Sequence, residues 1–161
     1  MESVEVWMWL IAGILLASII FVTAFSLIAK YTANMEVSQA DDSFQILQTT
    51  INNVCQGGPE NQEINSLVFP YRMQQLFVQD EHEIKGTGNE LCLEISGLPV
   101  RCEQLARCSA QMNSIDLERE ISVFYLMDKA LGKKAPAKIR FTVSKITADT
   151  VQILWQQVVS E

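Results

Sequence analysis

The hydrophobic and polar positions divide the chain into one long apolar run and a mixed remainder. The run extends from Val6 to Ala29 and contains neither a charged side chain nor a proline. As an α-helix it would be ~36 Å long, and the hydrocarbon core of a bilayer is ~30 Å thick. A single isolated segment satisfies its backbone groups in lipid only as a helix. Residues 1–29 are therefore predicted to form a transmembrane helix, with membrane lipid as a partner.

A second helical pattern follows the apolar run without a break. No glycine or proline occurs from Lys30 to Val54, and apolar residues recur there at intervals of three and four. These residues form one stripe: Ala40, Phe44, Leu47, Ile51 and Val54. A glycine pair followed by Pro59 predicts the helix end. Residues 30–55 are thus predicted to be an amphipathic extension packed against the rest of the chain. A coiled-coil seam is the alternative, although barely two heptads are present.

The pattern changes to the alternation of β-strands after the second helical segment. The clearest strand is Lys138–Lys145, and its apolar positions share one face: Ile139, Phe141 and Val143. The segment 114–131 fits neither the helical nor the strand period. Residues 56–161 are predicted to form a β-rich head. The predicted fold class is therefore α+β, with a long N-terminal helix followed by a small antiparallel β-rich head.

The four cysteines all follow the apolar run. A hairpin centred on Gly97 places Cys92 directly opposite Cys102, with Cβ atoms ~4.5–5.5 Å apart, and the closer of such pairs approach disulfide distance. The remaining pair, Cys55 and Cys108, would join the end of the long helix to the head. Two disulfides are typical of an oxidising compartment. Free buried thiols and a metal site are the alternatives, although the chain has no Cys-x-x-Cys pair.

The net charge of the chain argues against nucleic acid as a partner. The chain has 12 Lys and Arg against 19 Asp and Glu, a formal net charge of -7. Such a chain gains little from counterion release, so nucleic acid is not an expected partner.

The signals for membrane orientation disagree. Lys30 favours a cytoplasmic head by the positive-inside tendency, whereas the cysteines favour an extracytoplasmic one. We expect the head to be extracytoplasmic and the chain to cross the membrane once.

The sequence contains no recognisable catalytic pattern. Phosphate-binding glycine loops, nucleophile elbows and paired-histidine metal motifs are absent from it. The single histidine, His82, lies in a charged turn between two predicted strands, where a surface role is expected. The sequence therefore predicts a protein that is not an enzyme and that has no catalytic residue, cofactor or metal ligand.

The layout resembles type IV pilins and pilin-like proteins, especially the short archaeal kind. The resemblance lies in Glu5, the apolar run Val6–Ala29, the amphipathic stripe and the cysteine-bearing strands of the head. It implies a structural protein, a filament or cell-surface subunit. In that family a glutamate at the fifth mature position neutralises the N-terminal amine of a neighbouring subunit, and Glu5 matches that position. The chain departs from the family pattern because it begins with Met1 and shows no basic leader.

Assembly through the apolar run has three candidate residues. The resemblance implies Glu5, while Gly13 and Ala17 are small residues four positions apart that allow a neighbouring helix to approach closely. Self-association through the N-terminal helix is the expected partnership. The alternative is an accessory subunit or interaction module of a larger membrane complex, bound to other membrane subunits.

Overall fold

The structure, a computed structural model, describes residues 2–58, 60–70, 72–81, 84–106, 108–116 and 137–158. His82 and residues 117–131, for which the sequence made predictions, lie outside these ranges. Helix α1 (Glu2–Gln56) is followed in the described part by nine strands: β1 (Gln62–Phe69), β2 (Met73–Gln79), β3 (Thr87–Gly88), β4 (Glu90–Ile95), β5 (Arg101–Gln104), β6 (Ser109–Met112), β7 (Ile115–Asp116), β8 (Ala137–Thr147) and β9 (Thr150–Val158). The predicted α+β class with a long N-terminal helix is confirmed.

The chain separates into two compact units, Met1–Met35 and Glu36–Glu161. The first unit contains the apolar run together with the start of the amphipathic part of α1, up to Met35. The second contains the last part of α1 together with all the strands named above. The domain boundaries predicted from the sequence, at residues 29 and 55, rest on composition and local pattern. The division into two compact units does not test them, so they stay predictions.

The strands of the second unit form two sheets. One has the strand order β1-β8-β9-β6-β3, and the other has the order β5-β4-β2-β7. All neighbours are antiparallel except β6 and β9, which run parallel from Ser109↔Thr150 to Met112↔Ile153. The five-stranded sheet is therefore mixed, although the sequence predicted an antiparallel head. A parallel pair needs a long connection, and the chain between β6 and β9 provides one because it contains β7 and β8.

The amphipathic part of α1 contributes one face to the core of the second unit. Its predicted stripe is fully buried, with 0% exposure at each position: Ala40, Phe44, Leu47, Ile51 and Val54. These side chains belong to one core cluster with the inward faces of both sheets. The stripe therefore packs within the chain, as predicted, and does not form a coiled-coil seam.

Polar side chains of the same helix reach an edge strand of each sheet. Ser43 Oγ donates to the carbonyl oxygen of Val68 in β1 at 2.9 Å. On the other side, Gln48 Nε2 donates to the carbonyl oxygen of Gln104 in β5 at 3.4 Å. Because β1 and β5 are the outer strands of their sheets, the helix is hydrogen-bonded to one edge strand of each sheet.

The alternating residues of β8 and β9 supply one part of the core. Ile139, Phe141 and Val143 are fully buried, as the alternation predicted. The ring of Phe141 meets that of Phe69 edge to face, with centroids 6.0 Å apart. Trp155 is partly exposed, and its Nε1 donates to the carbonyl oxygen of Asn113 at 3.0 Å. The Trp155 side chain therefore lies at the edge of the core.

A lysine from β8 caps the C-terminal end of α1. Lys145 Nζ donates to the carbonyl oxygens of Cys55 at 2.6 Å and Gly57 at 2.7 Å. The last turn of the helix has no basic side chain of its own. A cation at this end satisfies free carbonyl groups and interacts favourably with the helix dipole.

Replacing Lys145 with methionine is expected to lower the free energy of unfolding by about 1–2 kcal/mol, because both carbonyl oxygens lose their charged donor. Urea denaturation of the full chain in detergent micelles measures the change. Lys138→Met is the matched control, since Lys138 is an exposed lysine on the same strand. Equal losses for the two variants would contradict the capping role.

Candidate functional site

The most unusual surface of the described chain is the outside of α1 in the first unit, here called the apolar helix surface (Val6–Ile28). Every side chain in it is exposed, including sixteen large apolar ones. Its most apolar stretch has a mean hydropathy of 2.6 and no buried part, so by length and composition it is a candidate membrane-spanning helix. Soluble monomers rarely expose apolar patches larger than a few hundred Å². An exposed apolar surface of this extent is typical of helices that lie in lipid or against other apolar helices.

The hydroxyl groups within the apolar helix surface are satisfied inside the helix. Ser18 Oγ donates to the carbonyl oxygen of Ile14 at 2.8 Å, and Thr23 Oγ1 donates to that of Ile19 at 2.9 Å. Ser26 Oγ donates to the carbonyl oxygen of Thr23 at 2.9 Å. A hydroxyl without a partner is costly in hydrocarbon, and these bonds remove that cost. The polar residues of the segment are thus compatible with lipid.

Gly13 and Ala17 lie on one side of the apolar helix surface. At 3.6 residues per turn, they and Ala24 fall within ~40° of one another around the helix. A Cβ atom added at Gly13 would meet nothing within 4 Å. No contact within the described chain therefore requires glycine at this position, and the shallow stripe is available to a second helix.

Glu5 lies in the helical part of the first unit. Its side chain is outside the described part of the structure, so its role in assembly stays a prediction. The same holds for any pairing of its carboxylate with an N-terminal amine.

The cysteines form two disulfides, Cys92–Cys102 and Cys55–Cys108. This is the pairing expected from the sequence. Cys92 and Cys102 are direct partners in the register of β4 and β5, as the hairpin around Gly97 predicted. The second disulfide joins the last turn of α1 to the segment before β6. The two bridges account for all four cysteines, so none is left as a free thiol.

Among the described residues, one group of side chains has the composition of a metal site. The possible ligand atoms of Glu90, Cys92 and Cys102 lie within 4.8 Å of one another. The two sulfur atoms are joined in a disulfide, and metal ligation by cysteine requires the thiolate. The Glu90 carboxylate accepts a hydrogen bond from Gln79 Nε2 at 3.2 Å. In this oxidised form the group is a structural cluster.

An open cleft lies along the exposed side of α1 in the second unit, lined by Asp42, Gln45, Ile46, Thr49 and Thr50. Thr50 Oγ1 is engaged, since it donates to the Ile46 carbonyl oxygen and accepts from Asn65 Nδ2 at 2.7 Å. General acid–base catalysis needs a titratable group within reach of a reacting atom, usually with a second group to orient it. The lining offers a single carboxylate, so it lacks such a pair.

No family model, curated protein or solved structure matches this chain. The features that bear on function are the apolar helix surface, the small-residue stripe and the disulfide-bonded head.

Proposed function

We propose that the chain is a structural, non-enzymatic, single-pass membrane protein, a pilin-like filament or cell-surface subunit. The observation that carries the proposal is the complete exposure of the apolar helix surface. Burying one large apolar side chain is favourable by ~1.5–3 kcal/mol. The sixteen exposed ones therefore give a large driving force for their burial in lipid or against other helices. Lipid provides that cover for a single copy, and helices of other copies provide it in an assembly.

The two disulfides support an extracytoplasmic head. Disulfides persist in oxidising compartments and are rare in the cytosol. Lys30 is the opposing signal, but a single cation is a weak determinant of orientation. The proposed arrangement places the second unit outside the cytoplasm.

Self-association is proposed to use the stripe that contains Gly13 and Ala17. We expect Ala17→Leu to weaken association in phosphatidylcholine vesicles about tenfold, because the larger side chain holds the helices apart. Energy transfer between differently labelled copies measures the change. Ala12→Leu is the matched control, since this exposed alanine lies ~140° away around the helix. Equal effects at both positions would contradict the stripe.

The proposed function is tested by flotation and electron microscopy of the full chain. We expect the chain to float with vesicles after alkaline washing and to form filaments or clusters when detergent is removed. Monodisperse particles that stay in solution without detergent would contradict the proposal. Copurification with one unrelated protein in fixed stoichiometry would instead favour an accessory subunit.

A further inference from the structure

The hairpin between β4 and β5 ends in an exposed apolar tip, here called the hairpin tip (Gly97–Val100). Leu98 is 46% exposed and Val100 is 49% exposed, and Pro99 between them is exposed as well. No residue of the tip carries a charge, although the chain as a whole has 31 charged side chains, 12 basic and 19 acidic. The tip is therefore an uncharged projection that carries two of the several exposed apolar side chains of the second unit.

Three contacts fix the direction in which the hairpin tip points. Along α1 and along β5 with the two residues after it, the contacts run in the same order: Asp41 with Arg101, Gln48 with Gln104, and Asn52 with Ala106. From the first contact to the second, the helix advances by seven residues and the strand by three. Both distances are ~10 Å at the usual rise per residue. The helix and strand therefore run parallel and in step.

The hairpin tip precedes Arg101, so it lies beyond Asp41 toward the beginning of the second unit. Measured from Asp41 along the direction of α1, the tip extends up to ~10 Å toward the beginning of the unit. Glu36, the first residue of the unit, lies ~7.5 Å from Asp41 in the same direction. The tip thus projects from the end at which the chain enters the second unit. Seven residue steps separate Ala29 from Glu36, so even a fully extended connection spans no more than ~25 Å.

Arginines lie at the base of the hairpin tip. Arg72 Nη2 donates to the carbonyl oxygen of Ser96 at 3.1 Å. Arg101 directly follows the tip and pairs with Asp41 and Glu103. Arg101 is thus matched by carboxylates, and Arg72 is the cation that supports the tip. An apolar projection with an arginine behind it suits the boundary between headgroups and acyl chains, where arginine keeps its charge in the polar layer.

We propose that the hairpin tip inserts into the headgroup boundary of the bilayer that holds the apolar helix surface. This inference rests on the proposed function, since it needs the helix to be in a membrane. Leu98 and Val100 enter the boundary, while Arg72 stays at the headgroup level. The short connection keeps the tip within reach of the bilayer, so insertion has a small entropic cost. The head then has two attachments to the membrane.

The test uses tryptophan emission from the full chain in phosphatidylcholine vesicles whose acyl chains are brominated near the headgroups. In a Trp7→Phe/Trp9→Phe background, Leu98→Trp reports the hairpin tip. Ile146→Trp is the matched control, since Ile146 is 51% exposed and follows Lys145, which binds the opposite end of the helix. The background without either substitution gives the contribution of Trp155.

We expect bromination to reduce the emission added by Leu98→Trp roughly twofold or more, and to leave that of Ile146→Trp unchanged. If the protein floats with vesicles and neither emission falls, the insertion is wrong and the membrane anchor stands. A blue-shifted but unquenched signal at position 98 would also overturn it, since a second copy would then cover the tip. Failure to float would contradict the proposed function itself.

Discussion

Replacing Cys55 and Cys108 together with alanine is expected to lower the free energy of unfolding by about 4 kcal/mol. The disulfide closes a loop with a sequence separation of 53, and the entropy that a crosslink removes from the unfolded chain grows with loop length. It also ties the last turn of α1 to the strands. Both cysteines are buried, so the loss of sulfur packing adds to the effect.

The second disulfide provides the comparison. Cys92–Cys102 has a sequence separation of 10, so the same argument gives about 2.7 kcal/mol for Cys92→Ala with Cys102→Ala. Urea denaturation of the full chain in detergent micelles, without reductant, measures both losses. A greater loss for the shorter loop would contradict the entropic argument.

Placing two arginines in the middle of the apolar run is expected to prevent membrane integration. Leu15→Arg with Ile19→Arg puts both charges on one exposed side of α1, away from Gly13 and Ala17. Each central arginine costs ~2.5–3.5 kcal/mol on the insertion scale, so the pair costs about 5–7 kcal/mol. The fraction of protein that floats with vesicles should fall sharply.

The control for this variant is Tyr31→Arg with Met35→Arg. These exposed residues have the same spacing on the same helix but follow the apolar run. We expect the control to float like the unmodified chain, because arginine is tolerated at the membrane boundary. Unchanged flotation of the central variant would show that the apolar run is not the anchor.

The sequence predicted the features that depend on local periodicity. The stripe from Ala40 to Val54 repeats with the helical period, and burial follows that repeat. The face shared by Ile139, Phe141 and Val143 follows from strand alternation in the same way. The register of Cys92 with Cys102 was accessible because a short hairpin fixes which residues are opposite.

Features that join distant segments could not be predicted from the sequence. The parallel pairing of β6 with β9 brings together strands far apart in the chain, and neither carries a signal for its neighbour. Lys145 has no pattern that marks it as the cap of a helix that ends at Gln56. Similarly, the direction of the hairpin tip depends on contacts between α1 and β5.

We propose that lipid, together with other copies of the chain, covers the apolar helix surface. Photocrosslinking of the full chain in vesicles that contain a lipid with a photoreactive acyl chain, followed by peptide mapping, tests it most directly. The account predicts lipid adducts within Val6–Ala29, with fewer on the side of Gly13 and Ala17. Adducts spread evenly over the second unit, with none in the apolar run, would contradict it.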